Sequence, residues 1–329
     1  MMPGVHPIGG PPAFSGSRLG WGDLPRHVRA RISELAGAAV VTEASATSGF
    51  SPGYAASLEL GDGTRLFLKA VSTEQNPDSP ALARAEIRHN RLLPPEVDAP
   101  RLVFGDDDGT WVLLGFESVV GFPPGTPWEP GDLDLALRAL TRLAAVPAPD
   151  GLPALTSTFD AVADGWTSLL DDATARERML RAVSPHSAWV ADRLTDLAVL
   201  ERTAPDRLDG TALVHGDLRA DNLMIAPGPP AQVRFIDWPH AARGAPWFDL
   251  VAMLPSVAMQ GGGDPVTILA EHPVGRAADA ADVHAVVTAL AGFFLHRAVL
   301  PAPRGLPNLR PFQLAQGLAT LAWLRRMAP

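Results

Sequence analysis

The 329-residue chain contains no cysteine. Disulfides, thiol nucleophiles and cysteine metal sites are excluded, and the composition fits a reducing interior. Lysine is almost absent as well. Lysine and arginine together number 27, and Lys69 is the one lysine. No long uncharged apolar run qualifies as a membrane span. An excess of positive charge is also missing: the formal net charge is −9, which argues against nucleic acid or an anionic membrane as the main partner. The first 20 residues are rich in glycine and proline and lack the apolar core of a signal peptide. They read as a flexible tail (1–20) on a cytoplasmic chain.

What is present is a large apolar complement, 47% of residues, on a chain longer than one hydrophobic core serves. Two lobes are expected. In residues 21–119, Leu24, Val28, Ile32 and Leu35 recur at helical spacing within 23–36. Two apolar runs, Ala55–Leu60 and Arg65–Val71, flank Gly61-Asp62-Gly63 and predict a hairpin. Residues 81–93 predict a helix with Leu82, Ala85, Glu86, His89 and Leu93 on one side and Arg84, Arg88 and Arg91 on the other. A carboxylate in the apolar stripe needs a partner, which marks Glu86. Leu102–Phe104 and Trp111–Phe116 read as two more strands. The Gly/Pro-rich 121–127 closes this β-rich lobe. Beyond it, residues 120–329 are mostly helical: 131–146, 156–172, 186–203, 246–258, 277–299 and 309–326, interrupted by a β-rich insert at 213–236.

Lys69 ends an apolar strand. Arginines occupy the other 26 basic positions, so this one is read as a place for a slim ammonium and not a planar fork. The insert carries the most specific signal, His215-Gly216-Asp217-Leu218-Arg219-Ala220-Asp221-Asn222 between apolar runs, with Asp237 ending the next strand. Phosphoryl transfer to a hydroxyl requires these parts. A carboxylate at Asp217 can orient the hydroxyl and accept its proton. An amide oxygen at Asn222 and a carboxylate at Asp237 are the hard donors that Mg²⁺ takes beside phosphate oxygens. Asp221 reads as a solvated or turn-capping residue, and Arg219 as either a substrate contact or a solvated loop arginine.

The His-Gly-Asp-x-x-x-x-Asn loop at 215–222, Ile236-Asp237-Trp238, and the following Asp249-Leu250 resemble the aminoglycoside phosphotransferase family, related in fold to choline kinase and the protein kinases. The resemblance spans nearly all of residues 40–260. It implies an α+β, bilobal protein-kinase-like fold and an ATP- and Mg²⁺-dependent kinase acting on a small-molecule hydroxyl. By that resemblance Asp217 is the base, Asn222 and Asp237 hold Mg²⁺, and Lys69, held by Glu86, binds the α- and β-phosphates. His215 and Asp249 brace the loop. Ser48, Gly49, Phe50, Ser51 and Gly53 cover the nucleotide, and Phe116, Glu117 and Val119 form the hinge that receives adenine. Pro239 replaces the glycine of protein kinases, so no flip of that segment is expected.

The acceptor stays open in the sequence. Acids at Asp160, Asp164, Asp171, Asp172, Asp264 and Glu271, if they converge, suit an aminoglycoside and an antibiotic-resistance role. An aromatic wall from Trp166, Trp189 and Trp238 suits a hydrophobic alcohol. The alternatives are a kinase of a metabolite (choline-like, amino-alcohol or sugar), a catalytically silent nucleotide-binding module, and a metal-dependent phosphoesterase.

Overall fold

The computed structural model describes residues 11, 13, 18–50 and 52–327. Ser51 and most of residues 1–17 lie outside the described residues. The N-terminal part comprises α1 (Arg26–Ala36), β1 (Val40–Ser45), β2 (Tyr54–Leu60), β3 (Arg65–Ser72), α2 (Ser79–Asn90), β4 (Leu102–Asp107) and β5 (Trp111–Glu117). Its strands make one antiparallel sheet in the order β1-β2-β3-β5-β4. The hairpin and the paired strands fall where the sequence puts them. Strand β1 was not anticipated. Five of its six residues are exposed, so no alternation marks it.

Alternation along β3 places the lysine. Leu66, Leu68 and Ala70 point to one face, where Leu24, Val28 and Ile32 cover them from the side of α1. Phe67, Lys69 and Val71 point to the other face, where α2 lies. Helix α2 buries Ala83, Glu86, Ile87 and His89, whereas Leu82 is exposed. The expected stripe is thus rotated. Ile87 packs with Val71, Val112 and Leu114, a contact with the sheet that apolar counting along the helix alone does not locate.

The C-terminal part begins with α3 (Pro130–Leu143), α4 (Leu155–Thr158), α5 (Gly165–Asp171), α6 (Ala173–Ala182) and α7 (Ser187–Glu201). Four short strands follow: β6 (Ala212–Val214), β7 (Leu223–Ala226), β8 (Gln232–Phe235) and β9 (Ala242–Gly244). The chain continues with α8 (Phe248–Met259), α9 (Pro265–Glu271), α10 (Pro273–Arg276), α11 (Ala280–Ala298) and α12 (Leu309–Met327). β7 pairs with β8, and β6 with β9. Helix α6 falls between two expected helices, and Asp172 starts it by accepting from the Thr174 and Ala175 N–H groups. Helix α9 was likewise missed and opens on the Asp264 cap with Pro265 behind it. Helix α11 runs among α5, α7 and α12 and is buried on most sides, as its apolar composition requires.

The Gly/Pro-rich segment after β5 clips onto the helical part. Phe122 and Ile225 exchange both backbone hydrogen bonds, at 3.1 and 2.7 Å. Residues 18–20, expected in the tail, are tied to the sheet: the Leu19 N–H donates to the Gly53 carbonyl at 3.3 Å. Among the described residues no helix is long and apolar enough to cross a membrane.

Candidate active site

The outward face of β3 meets α2 and the turn that follows β8. Lys69 Nζ donates to both Glu86 carboxylate oxygens, at 2.8 and 2.9 Å, and to Asp237 Oδ1 at 2.8 Å. Glu86 is buried at 4% exposure, so its charge depends on that ammonium. Burial pushes the Glu86 carboxyl up, to about 7, against the pull of Lys69. Burial also acts upward on Asp237, but the ammonium of Lys69 outweighs it and holds Asp237 down at about 2. For Lys69, burial favours the neutral amine, and the charges of Asp237 and Glu86 overcome it to keep the ammonium. Asp237 also has φ of 70°, the one positive value on a non-glycine residue among those described. Aspartate tolerates the left-handed region better than most residues, at a cost of about 1–3 kcal/mol.

The loop at 215–222 is fixed to that aspartate from behind. The neutral His215 ring fits its surroundings in one tautomer. Nε2–H donates to the Ile236 carbonyl at 2.9 Å, and Nδ1 accepts from the Asp217 N–H at 3.3 Å. Asp249, at the start of α8, accepts from the His215 and Gly216 N–H groups at 2.7 and 2.9 Å. Burial nevertheless pushes the Asp249 carboxyl up, to about 6. Gly216 has φ of 85°, and a Cβ there would overlap the His240 carbonyl, so glycine is required on both counts. Asn222 Nδ2 donates to the Asp217 carbonyl at 2.7 Å and to Asp217 Oδ2 at 3.2 Å. Its own carbonyl accepts from the Ile236 N–H at 3.0 Å. The Asn222 amide oxygen and Asp237 Oδ2 carry no hydrogen bond among the described residues. One carboxylate and one amide oxygen on adjoining segments are hard donors that suit Mg²⁺ sharing its shell with phosphates.

Burial pulls the His215 imidazole down, to about 4. The unfolded chain therefore holds an extra proton between about pH 6.5 and 4, and stability is lost as pH falls through that window. The slope due to this one group is at most about 1.4 kcal/mol per pH unit. His215→Asn is expected to flatten it. Urea midpoints of parent and variant from pH 7 to 4, without nucleotide, check this, and parallel curves would contradict the buried neutral ring.

Two cavities meet at this site. One of about 350 Å³ is lined by Lys69, Glu86, Asn222 and Asp237 together with Ser48, Gly49, Phe50, Phe116, Glu117 and Val119. The other, about 520 Å³, is lined by Asp217. Phe50 borders both. The geometry thus collects most of the residues singled out by sequence. Gly53 is set apart from them: it packs beneath β3, where a Cβ would meet the Ala70 carbonyl at 2.5 Å. His215 and Asp249 lie behind the loop.

Two features escaped sequence reading, the burial of Asp221 and the place of Arg18. Asp221 is buried at 9% exposure, not solvated, and both its oxygens accept from Arg219 at 3.0 Å. Arg219 also pairs with Asp217 and lies over the rings of Phe50 and Phe312 at 5.8 and 5.9 Å. Burial disfavours its charge, and the two aspartates reverse that and raise its pKa. Burial pushes the Asp217 carboxyl up, and Arg219 opposes the shift. Arg18 reaches the smaller cavity and donates to the Ser48 and Gly49 carbonyls. An arginine separated from Lys69 by a glycine-rich stretch gives no periodic signal. The tryptophans proposed as an acceptor wall are elsewhere: Trp166 is fully buried and donates to the Thr288 carbonyl, and Trp189 stacks with Arg193 and Arg325.

Solved structures share this architecture. An aminoglycoside phosphotransferase, APH(4)-Ia, in a thermostable mutant form with ADP and hygromycin B, superposes at a TM-score of 0.59 and 16% identity, covering 92% of this chain and 99% of that one. A second structure of that enzyme, with AMP-PNP and hygromycin B, gives a TM-score of 0.57 at 16% identity over 92% and 98%. At this identity the likeness establishes the α+β, protein-kinase-like fold. No curated protein matches the chain. The family model described as "Phosphotransferase enzyme family", APH, matches residues 47–282. That is most of the chain, and it includes Lys69, Glu86 and the 215–237 segment: the protein belongs to the phosphotransferase enzyme family and is a small-molecule phosphotransferase acting on hydroxyl groups.

Proposed function

We propose that the chain transfers the γ-phosphoryl group of ATP to an alcohol, with residues 21–119 as the nucleotide lobe and 120–329 as the catalytic and acceptor lobe. The carrying observation is that Lys69 Nζ lies 2.8 Å from both Glu86 and Asp237, which are 151 residues apart and come from the sheet-bearing and the helical part. ATP occupies the 350 Å³ cavity. Phe116, Glu117 and Val119 lie against adenine, Ser48–Phe50 over the phosphates, and Lys69 along the α- and β-phosphates. Asn222 and Asp237 would hold Mg²⁺, which when bound offsets phosphate charge. Asp217 orients the acceptor hydroxyl and takes its proton as the acceptor oxygen bonds to the γ-phosphorus. The bond from that phosphorus to the β,γ-bridging oxygen breaks in the same step, and ADP leaves. Arg219 opposes the upward push of burial on the Asp217 carboxyl. The reading takes the chain as cytoplasmic, where ATP and Mg²⁺ are available. Antibiotic resistance and metabolite phosphorylation are the two roles such chemistry serves, and the acceptor decides between them.

The test is metal-dependent nucleotide affinity. In the parent, calorimetric titration with ATP is expected to tighten when Mg²⁺ is added. In Asp237→Asn that gain should shrink by about tenfold or more, the scale of losing one charged ligand interaction. An unchanged gain would remove Asp237 from the metal site.

A further inference from the structure

The larger cavity identifies the acceptor's chemistry, and this inference rests on the phosphotransferase reading above. Asp217 is the one carboxylate among its lining residues, and Arg219 already neutralises it. Arg88 and His240 stand at its rim. None of Asp160, Asp164, Asp171, Asp172, Asp264 and Glu271 lines it. Asp172 and Asp264 cap helices instead, and the others are exposed. A polycation would meet no carboxylate but the one it must leave free to react. The walls are phenylalanine: Phe159, Phe248, Phe293, Phe294 and Phe312 surround the space with Phe50.

Among the phenylalanines, α12 places two neutral amides in the lining, Gln313 and Gln316. Gln316 lines the cavity at 5% exposure, and its side-chain amide has no hydrogen bond among the described residues. Its neighbour Gln313, one turn earlier on α12, gives its oxygen to Arg310 at 2.8 Å, leaving its NH₂ group unpaired. An amide that faces a mostly apolar cavity and makes no hydrogen bond to the protein is available to orient a ligand. Both glutamines lie C-terminal to residue 282, where the family match ends, as do Phe293, Phe294 and Phe312.

We propose that the acceptor is a largely apolar, uncharged alcohol carrying a second, neutral hydrogen-bonding group, such as an amide or carbonyl, that Gln316 recognises while the hydroxyl faces Asp217. Gln316 is then a specificity-determining residue.

Calorimetry in saturating MgAMP-PNP tests this with three probes: 12-hydroxydodecanamide, 12-aminododecan-1-ol and kanamycin. The first two match in length and differ in one neutral or cationic end. The hydroxyamide is expected to bind about tenfold tighter than the amino-alcohol, because an ammonium in this lining lacks a partner, and kanamycin is expected not to saturate. Gln316→Leu should weaken the hydroxyamide about tenfold. Gln316→Glu should invert the order of the first two, a gain of binding that misfolding cannot produce. No saturable hydroxyamide binding, tighter binding of either amine, or an order unchanged in Gln316→Glu overturns the proposal. If MgAMP-PNP itself fails to bind, the nucleotide assignment falls and this proposal with it. If it binds and the amines are preferred, this proposal alone falls.

Discussion

Asp217→Asn is expected to lower phosphoryl transfer by about 10²–10⁴-fold, the range for losing a positioned general base, while nucleotide affinity stays close to that of the parent. The separation follows from geometry. Asp217 lines the 520 Å³ cavity and not the one that holds Lys69 and Asp237, so the nucleotide loses no contact. Asparagine preserves the size of the side chain and leaves the Asp217 carbonyl to accept from Asn222 Nδ2. Arg219 keeps its two bonds to Asp221, so the loop has no reason to collapse. What disappears is the proton acceptor. Single-turnover rates and calorimetric nucleotide binding, measured on the same preparation, check this. Transfer at the parent rate would remove Asp217 from the reaction, and equal losses in rate and affinity would point to a damaged fold.

The second large effect concerns stability as well as turnover. Lys69→Met keeps a slim side chain and deletes the charge between Glu86 and Asp237. Removing one member of a buried ion pair costs about 3–5 kcal/mol, and Glu86 at 4% exposure has no water to take over. The loss should depend on pH with a definite sign. Burial already raises the Glu86 carboxyl to about 7, and without the ammonium it rises further. The folded variant then binds a proton more tightly than the unfolded chain, so its stability recovers as pH falls toward the unfolded value near 4.5. The gap to the parent is therefore widest near pH 8 and narrows toward pH 5. Turnover should fall about 10²–10³-fold with the phosphate contact. Lys69→Arg is expected to restore charge without restoring turnover, since a planar fork does not fit where a point charge bridges two carboxylates. Urea unfolding across pH and steady-state kinetics measure both, and a stability gap that ignores pH would argue against the ion pair.

The residues of the site were legible because they are spaced within short segments: the loop at 215–222, the turn at Asp237 just past a strand, and the hairpin that carries Lys69. Each is a local pattern of apolar runs around polar groups. Glu86 was legible for a different reason, as a carboxylate that an amphipathic helix would have to bury. Arg18 and Asp221 were not legible. One comes from an irregular approach to the sheet, and the other owes its burial to Arg219 folding back over the loop. The tryptophan wall failed for a related reason: large aromatic residues satisfy a core as readily as a cleft, and Trp166 went to the core.

By itself the sequence determined which groups the proposed chemistry draws on, at 69, 86, 215–222 and 237, and that a sheet-bearing part precedes a helical one. It could do so because those groups sit at fixed offsets along strands and turns, where period and spacing set direction. Tertiary structure alone decided what lines the cavity beside Asp217. Helices α11 and α12, far along the chain from Asp217, close over it with phenylalanines and an unpaired amide. The acids that sequence proposed for that wall turn instead to helix ends and solvent, because the facing of a helix is set by the neighbours it packs against and not by its own residues.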